Sequence, residues 1–239
     1  MTESTGVTTH VPMMPPEQAD RLKEWHENAY RAALAEAGKV DAQTFDYLGR
    51  TFVVPPQVHP ITAVSHLLGQ AVLAEVRPDD RVLDMGTGCG VNAILAASAS
   101  TDVLGVDVNP DAVEAAAANA RRNGVADRAA FRRSDVFSEV DGVFDLVIFD
   151  PPFRWFAPRS LLERASTDAG YTTLTCFFRE VRGRLTQRGR LLVFFGTSGD
   201  LAYLHRLSDE AGFAREVLAQ DSLVRDGWEV EYYTYRLTP

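Results

Sequence analysis

Apolar and polar positions follow different periods in different stretches of this chain. From Glu17 to about Ala37, Leu22, Trp25, Ala29 and Ala33 recur at helical spacing, which predicts an amphipathic helix with Gly38 as its stop. Thr44 to Val54 reads as two short strands about a turn holding Gly49. Pro55-Pro56-Gln57-Val58-His59-Pro60 predicts an irregular loop, and Ile61–Val76 returns to helix. From Arg81 onward strands and helices alternate. Strands are expected at Arg81–Met85, Val103–Asp107, Ala129–Ser134, Leu146–Phe149 and Arg190–Gly196, and helices at Val91–Ser98, Asp111–Asn123, Thr173–Leu185 and Leu201–Ala211. Late strands near Ala214–Leu218 and Val230–Leu237 have no helix between them, so they should pair antiparallel.

Unbroken apolar strands in such an alternation imply a mostly parallel sheet covered on both faces. The expected fold is a doubly wound α/β domain of seven strands with an N-terminal helical cap. Residues 1–16 read as a mobile tail, 17–54 as a helix and hairpin cap, and 55–239 as the catalytic domain.

Composition narrows the partners. With 24 basic and 33 acidic residues the net charge is −9, which argues against an extended duplex-binding surface. The cluster Arg121, Arg122, Arg128, Arg132 and Arg133 is read as a solvated face. Only Cys89 and Cys176 are present, too few for a disulfide framework, and this suits a reducing cytoplasm. No apolar run approaches the length of a membrane span, and residues 1–16 lack a signal-peptide core. The His and Cys residues show no metal-ligand spacing.

The chemistry gathers at strand ends. Val82-Leu83-Asp84-Met85-Gly86-Thr87-Gly88-Cys89-Gly90 joins a strand to a helix through three glycines. Glycine lets the backbone approach a ligand closely, and such a turn lies at the sheet edge where ligands bind. The spacing is G-x-G-x-G, not the dinucleotide G-x-G-x-x-G. An anion at Asp84 is a poor neighbour for pyrophosphate and a good one for an ammonium group. That favours the amino-acid part of S-adenosylmethionine over NAD. Asp107, followed by Val108, ends the next strand, where a carboxylate can accept from both ribose hydroxyls; Asn109 and Pro110 announce the following helix. Asp135 ends the third strand and is placed to accept from the adenine amine, with Val136 or Phe137 against the ring.

Asp150-Pro151-Pro152-Phe153 closes the apolar strand Leu146–Phe149. Two prolines remove competing backbone donors and stiffen the turn. The result is a rigid site of a carboxylate, a free carbonyl and an aromatic ring, suited to holding an NH group.

These features, from about residue 55 to the C-terminus, resemble class I S-adenosylmethionine-dependent methyltransferases. Asp84 with Gly86, Gly88 and Gly90 matches their first motif, Asp107 their second and Asp135 their third. Asp150-Pro151-Pro152-Phe153 matches the fourth motif of the amino-methyltransferases. The segments around Asp84 and Asp107 are most similar to release-factor glutamine methyltransferases and the related "small domain" enzymes. The glutamine enzymes carry Asn-Pro-Pro-Tyr, where this chain has Asp150 and Phe153; ionised Asp only accepts, whereas Asn also donates. The resemblance implies S-adenosylmethionine as cofactor, held by Asp84, Gly86, Thr87, Gly88, Gly90, Asp107, Val108, Asp135 and Val136. It implies that Asp150 and the Pro151 carbonyl accept from a planar NH2 group stacked on Phe153, with Pro152 fixing the turn. The expected acceptor is an amide, guanidine or aromatic amine of a protein or small metabolite. O-methylation and RNA-base methylation are alternatives within the fold; an NAD oxidoreductase or a non-catalytic scaffold are alternatives outside it.

Other residues carry two readings. Arg154, Trp155, Arg159 and Arg164 could bind a flat or acidic acceptor or form a solvated loop. His59 reads as structural, Cys89 as a small filler, and Trp25 as an anchor of its helix or, with His26 and Tyr30, a lid.

Overall fold

The computed structural model describes residues 10–36, 41–225 and 227–239. Helix α1 spans Pro16–Glu36, and the expected stop at Gly38 lies outside the described residues. Strands β1 (Gln43–Tyr47) and β2 (Arg50–Val54) form a hairpin. Its turn places Leu48 and Gly49 at φ 47° and 74°, a left-handed pair that suits the twist of a two-residue hairpin. Buried Asn119 docks this hairpin: its Oδ1 accepts the Val53 N–H (2.9 Å) and its Nδ2 donates to the Val53 carbonyl (3.0 Å).

Then follow α2 (Ser65–Glu75), β3 (Arg81–Met85), α3 (Val91–Ala96), β4 (Asp102–Asp107), α4 (Pro110–Arg122), β5 (Ala129–Arg133) and β6 (Phe144–Phe149). The chain continues with α5 (Thr172–Glu180), β7 (Leu185–Gly196), α6 (Leu201–Glu210), β8 (Ala214–Arg225) and β9 (Trp228–Thr238). The seven-stranded sheet runs β5-β4-β3-β6-β7-β9-β8, parallel except for β9, which is antiparallel to both neighbours. The expected doubly wound architecture is therefore present. Strand order reverses around β3, which has β4 on one side and β6 on the other, so a crevice opens beyond its carboxyl end.

Strand periodicity divides the core. Leu83, Val147, Leu191 and Val193 face α5 and α6, while Val82, Leu146, Ile148 and Leu192 face α2 and α3.

Four boundaries differ from expectation by four residues or more. Helix α2 starts at Ser65 because Ser65 Oγ accepts the Thr62 N–H at 3.0 Å, leaving Ile61–Val64 irregular. The helix expected to reach Leu185 stops at Glu180, and a 3-10 turn over Val181–Arg184 leads into β7. The polar stretch Thr186-Gln187-Arg188-Gly189 then enters β7 across a register shift opposite Phe144 and Leu146, which apolar periodicity does not reveal. Strand β8 runs on to Arg225, carried by a bulge between Val217 and Ala219.

Of residues 1–16, expected to be a mobile tail, the first nine lie outside the described residues, and the His10 side chain is buried and pairs with Asp200 at 3.0 Å.

Candidate active site

A cavity of about 840 Å³ occupies the crevice at the carboxyl ends of β3, β4, β5 and β6. Gly86, Thr87, Gly88, Asp107, Val108, Asp135, Val136, Asp150, Pro151, Pro152 and Phe153 all line it. Asp84 and Gly90 do not. Strand alternation puts Asp84 on the face under α3, where Oδ2 accepts the Thr87 hydroxyl (2.6 Å) and the Ala93 N–H (3.0 Å). Burial pushes its carboxyl up to about 6, against the pull of those two bonds. Asp84 thus organises the loop from beneath. Gly90 is required by packing: it sits at φ 88°, and a Cβ there would come within 3.0 Å of Ala116.

Gly86 and Gly88 hold φ 70° and 55°, and a Cβ on either would project into open space. Their cavity side is a cradle that side chains would fill. Asp107 is anchored at its rim: Oδ2 accepts the Gly88 N–H (2.9 Å) and Oδ1 the Asn109 N–H (2.9 Å). Burial raises its carboxyl above the ordinary range. Asn109, not Asp107, caps α4 by accepting the Asp111 N–H at 3.0 Å.

Asp135 sits farther along the rim, its carboxylate exposed and 3.6 Å from the Arg164 guanidinium. Val136 follows at φ 49°, which strains a β-branched residue; strain of this kind is stored where a wall must present a fixed shape. Glycine cradle, paired carboxylates and a volume large enough for a nucleoside and a second small group together fit S-adenosylmethionine.

Asp150 follows Phe149, two residues past the Ile148–Asp84 pairing and so in register with the α3 face. Asp150 is exposed to the cavity, although dense protein lies around its carboxylate. Desolvation first, and then the Asp84 charge, push its carboxyl up to about 7. Phe153 is backed by Phe195 (4.8 Å between ring centres), Phe194 (5.6 Å) and Tyr232 (6.3 Å), so its ring belongs to an apolar wall.

The loop after Phe153 folds over the cavity and fastens to α1. Arg159 pairs with Glu27 (3.1 Å) and Glu163 (2.7 Å) and lies 3.4 Å from the centre of the Tyr30 ring. Arg154 stacks 4.3 Å over Trp25, which meets Trp228 edge-on at 6.2 Å. Trp25 is therefore both anchor and cavity wall. Buried His26 bonds Arg154 (3.3 Å) and Arg159 (3.1 Å), and desolvation lowers its imidazole's pKa. Arg164 is the loop arginine that reaches the cofactor rim. Arg128, Arg132 and Arg133 instead bond backbone carbonyls of their own neighbourhood.

His59 lines the cavity, its imidazole pKa lowered by desolvation and by nearby Arg154. Burial raises the Cys89 thiol to about 12, which suits a filler and not a nucleophile. Sequence reasoning passed over Asp168, which accepts the Thr173 and Leu174 N–H groups at 3.0 and 2.9 Å, and over Tyr171, Ser198 and Tyr232. Their signal is a lone polar residue at an element boundary, which single-sequence periodicity does not separate from an ordinary turn.

Residues 61–222 match the family model of the methyltransferase small domain. The release factor glutamine methyltransferase of Cereibacter sphaeroides is 31% identical over 236 residues, covering 92% of this chain and 82% of that protein. Ribosomal protein L11 methyltransferase of Thermotoga neapolitana is 44% identical over 92 residues, but this chain spans only 33% of its length. Among solved structures, ribosomal protein L11 methylase from Lactobacillus delbrueckii subsp. bulgaricus superposes with a TM-score of 0.56 at 20% identity, over 76% of this chain and 82% of that one. The fold and site define a Rossmann-like methyltransferase that uses S-adenosylmethionine. The chain belongs to the methyltransferase small domain family.

Proposed function

We propose that this chain methylates a nitrogen of a planar amide, guanidine or aromatic amine carried by a protein or small metabolite. The carrying observation is the Asp150 carboxylate, opening into the same cavity as the glycine cradle and poised near neutrality at about 7. S-adenosylmethionine supplies a methyl carbon activated by its sulfonium, so the protein's work is positioning and charge placement. Gly86, Thr87, Gly88, Asp107, Asp135 and Val136 hold the cofactor, and Asp84 secures their loop. Asp150 and the Pro151 carbonyl accept the two hydrogens of the planar nitrogen, and Phe153 stacks on its plane. Those bonds strengthen as positive charge develops on nitrogen, which favours the transition state over the ground state. Asp150 then takes the departing proton.

Relatives are named for a release factor and for ribosomal protein L11, which supports protein acceptors. The aromatic wall of Phe153, Phe194, Tyr232 and Trp25 equally suits a flat small molecule. Both cysteines are free thiols, in keeping with a reducing cytoplasm, and no described helix is long and apolar enough to cross a membrane.

The test is incubation with radiolabelled S-adenosylmethionine and fractionated lysate. One fraction should take up label, and Asp150→Ala should abolish uptake while S-adenosylhomocysteine affinity holds. Uptake that survives Asp150→Ala would sink the assignment.

A further inference from the structure

The backbone of the acceptor motif is held from behind by residues outside the cofactor machinery. Tyr171 is fully buried and adopts φ 56°, a left-handed conformation that costs free energy for a residue with a side chain. That geometry aims its hydroxyl at the Phe153 carbonyl, to which it donates. The same oxygen accepts the Asp200 N–H at 2.8 Å. Gly199 leaves the space this requires, since a Cβ there would strike the Phe153 carbonyl oxygen.

Asp200 is fully buried, and its carboxylate is shared between two parts of the chain. Oδ1 accepts the Tyr203 N–H at the start of α6, while Oδ2 accepts the Met13 N–H (2.6 Å) and pairs with His10 Nε2 (3.0 Å). The His10 ring sits in a box of Tyr203, Tyr171 and Trp155, with centres 4.6, 4.9 and 5.6 Å away. Tyr171 stacks on Tyr203 at 13°. One continuous set of contacts therefore runs from His10 through Asp200 and Tyr171 to the carbonyl of Phe153.

We propose that Tyr171 and the N-terminal segment His10–Met13, joined through Asp200, are positioning elements of the acceptor site. They fix the peptide that follows Phe153 and thereby the ring and carboxylate of Asp150–Phe153. None of them touches the cofactor loop. The proposal rests on reading Asp150–Phe153 as the acceptor motif, and its test separates the two.

Full-length wild type, Tyr171→Phe, His10→Ala and His10→Gln are compared in three measurements. These are S-adenosylhomocysteine Kd, amide hydrogen exchange with that ligand bound, and methyl transfer across a dilution series of the lysate fraction that the wild type labels. Tyr171→Phe and His10→Ala should keep Kd within about twofold and lower the saturating rate roughly 10- to 100-fold, as ångström-scale misplacement does. Exchange should accelerate over residues 150–156 and not over 84–92. His10→Gln, which still donates to Asp200, should restore most of the rate; a scaffold role would not split rate from Kd in this way. Saturating rates near wild type in both disabling variants, or Kd rising as the rate falls, would overturn the proposal. If the wild type labels no fraction, the acceptor reading fails on its own, and unchanged exchange at 150–156 still overturns this one.

Discussion

Asp150 lies one residue past the end of β6, beside the parallel strand that carries Asp84, and the charge of Asp84 adds to desolvation in raising Asp150 to about 7. Only the ionised form offers a charged acceptor that can also take the departing proton. Apparent kcat/KM should therefore rise with pH and level off above about 7, reporting the free enzyme. Asp150→Asn should lose that rise and about 10²- to 10⁴-fold in rate. A profile whose rising limb survives in Asp150→Asn would assign the titration to another group.

The same shifts act on stability with a definite sign. Asp84 and Asp150 titrate at about 6 and about 7 when folded, above the ordinary carboxylate value of 3.8. Between those values these two carboxyls hold more protons in the folded chain than in the unfolded one, so their contribution to stability falls as pH rises from about 4 to about 7, while the lowered imidazoles of His26, His59 and His205 contribute with the opposite sign. Asp150→Asn removes one contributor. Its melting temperature should exceed wild type by more at about pH 8 than at about pH 5, a residue kept for function at a cost in stability. Calorimetric scans at both values decide it; a gap independent of pH would contradict the shift.

Asp107 serves two ends, since its carboxylate fixes both Gly88 and Asn109 at the cavity rim. Asp107→Ala frees the glycine cradle and removes the ribose acceptor together. S-adenosylhomocysteine Kd should rise about 10- to 100-fold, or roughly 1.4–2.8 kcal/mol. Titration calorimetry measures this directly. The saturating rate should fall much less than in Asp150→Ala, and the reverse order would exchange the two roles.

The mostly parallel sheet, its antiparallel last pair and the gathering of Asp107, Asp135 and Asp150 at one edge were legible because each depends on local signals: apolar runs, glycines and a Pro-Pro turn. That Asp84 lies under α3 and outside the cavity lining was not legible, because it depends on pleat parity. Periodicity gave the strand but not which face α3 would cover. The lead-in of β7 was hidden because Thr186 and Arg188 satisfy Asp145 by side-chain bonds rather than by apolar burial. Tyr171 and His10 were invisible for a stronger reason. Their partners, Phe153 and Asp200, are 18 and 190 residues away in the chain, and only the folded coordinates bring them together.

At the opposite end of the sheet, Arg190 and Asp80 form a buried pair, each nearly inaccessible, with Nη2 2.8 Å from Oδ2. Arg190 also donates to the Asp145 carbonyl at 3.0 Å, and Asp80 accepts the Arg77 N–H at 2.8 Å. The pair thereby clamps the entries of β3, β6 and β7. Burial makes removal of one partner costly: without Asp80, Arg190 keeps only the longer pairing with Glu75, at 3.4 Å from Nε. Asp80→Ala should cost about 3–5 kcal/mol, which for a domain of this size lowers the melting temperature by roughly 6–20 °C. Asp80→Leu combined with Arg190→Met should cost less than the sum of the single changes, since neither charge is then stranded. The cavity lies at the other ends of these strands, so S-adenosylhomocysteine Kd measured well below the melting temperature should stay within about twofold in Asp80→Ala. A large loss of affinity there would mean that the clamp also sets the geometry of the cofactor loop.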